Sequence, residues 1–160
     1  MFDLRIELKK VALKVQEILY KLGLIADYIV ETDVVVLDDT TWYYKKMNNG
    51  FVEMRGYRDT TVGNGSFTAW GSLYLCAISS RNLPFTLAKL ISSDIEAYAT
   101  DASITLMVGT NKNTGDYYPT TSRTGEFSLV RPLTVSSTRP VRIIYKVTGL
   151  WKDISGGGTS

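Results

Sequence analysis

The sequence of 160 residues contains no histidine and only one cysteine, Cys76. A single cysteine cannot form an internal disulfide, and without histidine the usual zinc clusters and the Ser/His or Cys/His catalytic pairs are excluded. The chain also lacks an apolar run near 18 residues and a charged-then-apolar leader. We therefore expect neither membrane insertion nor secretion through a signal peptide.

An excess of one charge is also missing, because 18 basic residues face 16 acidic ones and leave a net charge of +2. This balance creates no strong field for nucleic acid, and we expect no nucleic-acid partner. Apolar residues make up 44% of the chain and charged residues 21%, which is typical of a folded soluble protein. The length is sufficient for one globular domain with an appendage.

Acidic residues lie close in sequence at Asp94 with Glu96 and at Asp38 with Asp39. Glycoside hydrolysis needs two acids roughly 5 to 10 Å apart across a cleft, and nearness in sequence does not supply that arrangement. The glycines at 63, 65 and 156–158 do not follow a strand and open a helix, so they do not predict a phosphate site. We predict that the protein is not an enzyme and uses no cofactor or metal.

The first thirty residues carry an apolar repeat whose steps alternate between four and three. A mean spacing of 3.5 residues keeps one apolar seam facing a neighbouring helix, which is typical of a coiled coil. The d positions are mostly β-branched, which favours three or four strands over a parallel dimer. We predict a trimeric coiled-coil stem, with a single helix packed on its own domain as the alternative. The predicted oligomerisation seam consists of Leu4, Leu8, Val11, Val15, Ile18, Leu22, Ile25 and Ile29.

Apolar residues also occur off this seam, among them Ile6, Leu13 and Tyr20, so we expect part of the outer helix surface to be covered by the rest of the chain or by a partner. Gly23 is a weak point, because glycine costs roughly 1 kcal/mol against alanine inside a helix and often ends one. We nevertheless predict that the helix continues to about Val30, since the repeat stays in register beyond the glycine. The predicted helical stem or anchor is residues 1–33.

From residue 34 onward, short β-branched and aromatic runs alternate with turn residues. This pattern predicts an antiparallel β-sandwich or barrel head over residues 34–154, followed by a flexible tail at 155–160. The strongest local signal is Asn49-Gly50 between two such runs, which predicts a type I′ hairpin. With those two residues as the loop, Lys46 lies opposite Glu53 and Tyr44 lies opposite Arg55.

Two later segments carry further signals. Gly71 interrupts an apolar run from 67 to 75, which predicts a bulge or a close backbone approach within one strand. Residues 58–66 and 110–125 are polar and rich in turn residues, which predicts loops.

Residues 42–56, with the sequence WYYKKMNNGFVEMRG, resemble the W-x-Y-R-K-W-x-x-G-x-x-E-x-W-G stretch of bacteriophage minor structural proteins. These are the C-terminal domains of tail, baseplate or fibre proteins. Residues 69–74, 83–84, 127–132 and 149–152 are similar to later blocks of the same family, in the same order. Met47 and Arg55 stand where the family has tryptophan, and Lys45 stands where it has arginine.

This resemblance implies a virion appendage, namely a small all-β head domain, commonly trimeric, that is anchored to the particle and often turned towards the host surface. We therefore expect a homotrimeric structural component of a phage tail, baseplate or head fibre, assembled in the bacterial host cytoplasm and located on the virion. Its expected partners are other virion proteins, through the stem, and a host cell-surface polysaccharide or protein. The alternative is a purely structural head or neck decoration that docks through its stem and has no host ligand.

Aromatic residues supply the candidates for recognition. The tryptophans Trp42, Trp70 and Trp151 offer faces for sugar rings, but their positions in strands favour core or subunit-interface roles. The polar loop at 110–125 mixes tyrosines with adaptable hydrogen-bonding groups, a combination suited to recognition. The alternative is a solvated loop whose tyrosines cover a neighbouring subunit. The receptor-binding candidates are Asn111, Asn113, Asp116, Tyr117, Tyr118 and Arg123.

Overall fold

A computed structural model describes residues 4–23, 26–63, 65–100, 107–109, 118–132 and 137–153. These residues form one N-terminal helix and nine strands, so the protein is mainly β, as predicted. The elements are α1 (Leu4–Lys21), β1 (Ile29–Leu37), β2 (Thr40–Met47), β3 (Phe51–Val62), β4 (Thr68–Trp70), β5 (Leu73–Ile78), β6 (Lys89–Ala99), β7 (Met107–Gly109), β8 (Phe127–Arg131) and β9 (Arg139–Leu150).

The strands form two antiparallel sheets. The larger sheet has the order β1-β2-β3-β9-β6, and the smaller has the order β4-β5-β8-β7. Strand β9 is an interior strand of the larger sheet, where it pairs with β3 on one side and with β6 on the other. Both neighbours of β9 are distant from it in sequence, so the sheet depends on long-range pairing.

Buried and partly exposed residues alternate along β9, so the larger sheet has one apolar face. Val141, Ile143, Tyr145 and Val147 are buried, and the residues between them are partly exposed. The smaller sheet contributes Phe127, whose ring contacts Tyr145 edge-on with centroids 6.3 Å apart. The buried residues of both sheets form a single cluster, which is the layered arrangement typical of a β-sandwich.

The largest buried side chain in the larger sheet, Trp42, depends on a glycine in the next strand. Gly56 lies directly opposite Trp42, and a Cβ atom at that position would lie 3.0 Å from the indole ring. The indole also lies 5.8 Å from the ring of Tyr145. The small residue at 56 therefore makes room for two large aromatic rings at the centre of the sheet.

The β2–β3 hairpin is present, but its predicted register is wrong by one residue. Lys45 pairs with Glu53 and Tyr43 with Arg55, so the loop comprises residues 48–50. Among these residues only Gly50 has positive φ, at 88°, whereas a type I′ turn needs positive φ at both central positions. A three-residue loop that ends in a left-handed glycine is the usual alternative.

The type I′ geometry occurs instead at the β1–β2 connection. Leu37 pairs with Thr40, which leaves Asp38 and Asp39 as a two-residue loop, and their φ angles are 48° and 60°. Aspartate tolerates this conformation because its short side chain forms local hydrogen bonds. The polar sequence of residues 38–41 predicts a turn, which the structure confirms at Asp38 and Asp39, whereas Thr40 and Thr41 begin β2.

Helix α1 ends at Lys21, so the prediction that it continues to about Val30 is wrong. Gly23 has a φ of 70°, and its N–H group donates to the carbonyl of Tyr20 at 2.8 Å, which is a glycine cap. The chain then reverses, and β1 begins at Ile29. Residues 29–33 of the predicted stem therefore belong to the sheet.

Two other boundaries differ from the predictions. Strand β3 continues to Val62, through residues predicted as loop, because all twelve of its residues pair with β9. Gly71 has a φ of 61° and lies in the turn between β4 and β5, where Trp70 pairs with Leu73, so a hairpin replaces the predicted bulge.

No helix in the described part of the chain is long and apolar enough to cross a membrane.

Candidate functional site

One face of α1 is attached to the edge of the larger sheet. The side-chain oxygen of Gln16 accepts a hydrogen bond from the backbone N–H of Ile29 at 3.0 Å, and the ammonium group of Lys9 donates to the carbonyl of Thr32. The ring centroids of Tyr20 and Tyr28 lie 5.1 Å apart. Since β1 is an edge strand, these contacts cover backbone groups that would otherwise be open for pairing.

The opposite face of α1 is apolar and exposed. At 100° per residue, the side chains that contact β1 lie about 140° around the helix from the predicted seam. We call the exposed set the helix stripe, and its members are between 48% and 66% exposed. The helix stripe comprises Leu8, Val11, Val15, Ile18 and Leu22.

Of the three remaining predicted seam residues, the structure contradicts one. Ile29 lies in β1, beside Met47, so its assignment to the seam is wrong. Ile25 lies outside the described residues, and Leu4 begins the helix.

On one side of the helix, charged residues lie between the helix stripe and the face that contacts β1. Glu17 forms ion pairs with Lys21 at 2.7 Å and Lys14 at 2.9 Å. Hydrogen bonds from Lys21 and Lys14 lower the pKa of Glu17 to about 2. The carboxylate therefore stays charged at all ordinary pH values, and this border stays polar.

The larger sheet has a second exposed surface, which we call the outer face. It is the face turned away from the core and is formed by alternate residues of the five strands. Its exposed apolar and aromatic members are unusual for a solvated sheet face. They are Val34, Val36, Tyr43 and Tyr98.

A groove of about 640 Å³ crosses the outer face, and we call it the outer-face groove. Its centre is a pair of tyrosines from neighbouring strands, Tyr43 and Tyr57, whose rings meet edge-on at 5.7 Å. The groove is lined by Asp39, Thr41, Tyr43, Arg55, Tyr57, Asp59 and Arg142.

Ion pairs fix most of the charges around this groove. Arg142 donates two hydrogen bonds of 2.7 Å to the carboxylate of Asp59, and these bonds lower the pKa of Asp59. Asp39 lies between Arg58 and Arg81, with one contact of 3.0 Å to each. The side chain of Arg55 is exposed and has no hydrogen-bonding or ion-pair partner among the described residues.

The predicted recognition loop is described only in part. Asn111, Asn113, Asp116 and Tyr117 lie outside the described residues. Tyr118 is 66% exposed, as expected of a loop aromatic. Arg123 forms an isolated antiparallel bridge with Asn82, and its carbonyl accepts from the N–H group of Thr120 at 2.9 Å, so its backbone is held in place.

The three tryptophans occupy different environments. Trp42 is fully buried in the core, which confirms the structural role predicted for it. Trp151 is partly buried, and its indole N–H donates to the carbonyl of Met47 at 3.0 Å. Trp70 is 65% exposed, so it does not lie in the core, and its alternative role at a subunit interface stays a prediction.

The paired carboxylates have structural contacts. Glu96 pairs with Lys146, while Asp38 accepts hydrogen bonds from Asn82, the shorter of them 2.6 Å. The described residues contain no group of three or more metal-binding side chains.

The outer-face groove was missed by sequence reasoning because of the hairpin register. The predicted register paired an aromatic residue with Arg55, but it selected Tyr44, whose side chain lies on the opposite face of the sheet from Tyr43. Tyr44 instead donates to the carboxylate of Glu31 at 2.6 Å and packs edge-on against Phe85.

Comparisons of the chain with protein-family models, curated proteins and solved structures found no match.

Proposed function

We propose that this chain is a homotrimeric structural component of a phage virion appendage, with a β-sandwich head that takes part in attachment to the host surface. The observation that supports it best is the helix stripe. Five large aliphatic side chains lie exposed along one side of α1, while the opposite side is attached to β1. A monomer gains nothing from such a stripe, whereas a partner helix would bury it.

The composition of the helix stripe favours three strands. Its d positions, Val11 and Ile18, are both β-branched, which suits a trimer better than a parallel dimer. The five side chains are about half exposed, so burying them contributes roughly 1 kcal/mol each before entropy is subtracted. Three helices would thus gain on the order of 15 kcal/mol, a reasonable driving force for association.

The assignment to a phage particle is supported by the ordered resemblance of residues 42–152 to phage minor structural proteins. In this function, other virion proteins bind near the stem, and the heads face a host polysaccharide or protein. A purely structural head or neck decoration is the alternative, because a virion protein could cover the same helix stripe. Purified trimer that blocks phage adsorption would support attachment, whereas unchanged adsorption would favour decoration.

Light scattering on the full chain tests the trimer. We expect three times the chain mass of 17.8 kDa. Ile18→Asp should give monomers at micromolar concentration, because three carboxylates would meet in an apolar core. Ile6→Asp is the matched control, since Ile6 is equally exposed but lies off the stripe, and it should remain trimeric. A wild-type mass of one chain would contradict the proposal.

A further inference from the structure

We propose that the outer-face groove binds a saccharide that carries an anionic group. The inference deepens the attachment role proposed above and rests on it. It places the ligand on the larger sheet instead of the loop at 110–125. Three features of the groove support it, namely its aromatic rings, a cation with no ionic partner among the described residues, and its polar rim.

The aromatic rings form a fixed platform. Tyr43 is 49% exposed although it lies in the middle of a strand, and its edge-on contact with Tyr57 limits its rotation. Sugar rings present faces of C–H groups that pack on exposed aromatic rings. Val34 lies beside Tyr43 in the next strand and extends the apolar surface by one residue.

The side chain of Arg55 indicates the charge of the ligand. In the sheet, Arg55 lies between its paired residues Tyr43 on β2 and Lys146 on β9. The neighbouring cations Lys146 and Arg142 have acidic partners, but Arg55 has none among the described residues. A guanidinium group next to an aromatic ring suits a carboxylate or a phosphate, which it can bind with two parallel hydrogen bonds.

The rim of the groove supplies hydrogen-bonding groups at fixed positions. Asp59 and Arg142 hold each other through two bonds, so their remaining donor and acceptor positions point in constant directions. Thr41 adds a hydroxyl group beside Tyr57, its partner in register. The volume of about 640 Å³ lies within the usual range for small-molecule sites.

Titration calorimetry on the full chain tests the inference with trigalacturonate, maltotriose and glucose 6-phosphate. We expect the two anionic probes to bind more tightly than neutral maltotriose, and their order identifies the anion as carboxylate or phosphate. Their affinity should fall as salt is raised, because an exposed cation is screened. Equal binding of maltotriose, no binding of any probe, or tighter binding of a thymidine oligonucleotide would overturn the inference.

Variants locate the site. Arg55→Gln and Tyr43→Ala should each weaken the better anionic probe by about tenfold or more, and Arg55→Lys should restore part of the loss. Lys89→Gln removes the same charge from the other end of this sheet and should have less than about a twofold effect. Equal losses in Arg55→Gln and Lys89→Gln would refute the site. If the wild-type chain is a trimer but binds no probe, only the proposal for the outer-face groove is refuted. If it is a monomer that binds an anionic probe, only the proposal of a trimeric stem is refuted.

Discussion

Gly149 occupies a position at which the structure leaves no room for a side chain. It is buried in β9 between Val52 of β3 and Leu90 of β6. A Cβ atom there would lie 2.5 Å from the carbonyl oxygen of Lys89 and 2.8 Å from a methyl group of Leu87. Gly149→Ala should therefore destabilise the domain, although alanine is the smallest possible change.

The cost depends on whether residues 87–89 can move away. They are held by two hydrogen bonds of 2.8 Å, from the N–H of Leu87 to the carbonyl of Thr121 and from the N–H of Ala88 to that of Leu150. Overpacking costs about 1 to 3 kcal/mol, and weakening one of these bonds adds about 1 kcal/mol. We expect a total loss of roughly 2 to 4 kcal/mol, which lowers the Tm by about 5 to 15 °C in a protein of this size.

Urea denaturation and thermal melts of the full chain measure this loss. Gly71→Ala is the control, because no atom lies within 4 Å of its Cβ position and its cost arises only from a φ of 61°. That cost should be about 1 kcal/mol. A Gly149→Ala variant within 0.5 kcal/mol of the wild type, on the order of a typical surface substitution, would refute the steric argument.

Two further perturbations test local contacts. Gly50→Val should lower the free energy of unfolding by about 1 kcal/mol or more, because a β-branched residue resists a φ of 88°, and an unchanged melt would contradict the hairpin geometry. The hydrogen bond from Tyr44 lowers the pKa of Glu31 from its ordinary value, so the stabilisation from this hydrogen bond is present at neutral pH and is lost as the pH falls through the lowered pKa. The difference in Tm between wild type and Tyr44→Phe should thus shrink in acid, and a constant difference would count against this reasoning.

The existence of most strands could be predicted from the sequence because their side chains alternate. Strand β9 extends over Arg139–Leu150, and its apolar residues recur at every second position from Val141 onward, a pattern that predicts a strand. The partners of β9 could not be predicted in the same way. Its pairing with β3 and β6 depends on contacts between residues far apart in the chain, and no local pattern encodes them.

The hairpin shows how a small local error hides a site. Asn-Gly predicts a two-residue loop, yet the side chain of Asn49 accepts from the N–H group of Phe51 at 2.9 Å, and the loop takes three residues. Since side chains alternate between faces, this shift exchanges Tyr44 for Tyr43 as the neighbour of Arg55. The residues that line the outer-face groove could therefore be identified only from the register that the structure shows.

The early end of α1 determines how the two proposed surfaces relate. Because the chain reverses after Gly23, the helix lies beside β1, with Lys9 near Thr32 and Gln16 near Ile29. A trimer joined through the helix stripe would have the three β1 edges around its axis. The outer-face grooves would then lie outside the helical bundle, where three copies can bind one polymer at once. Linked binding of this kind raises the overall affinity by about 10² to 10⁴ without any new contact, so weak saccharide sites on each head would suffice for firm attachment.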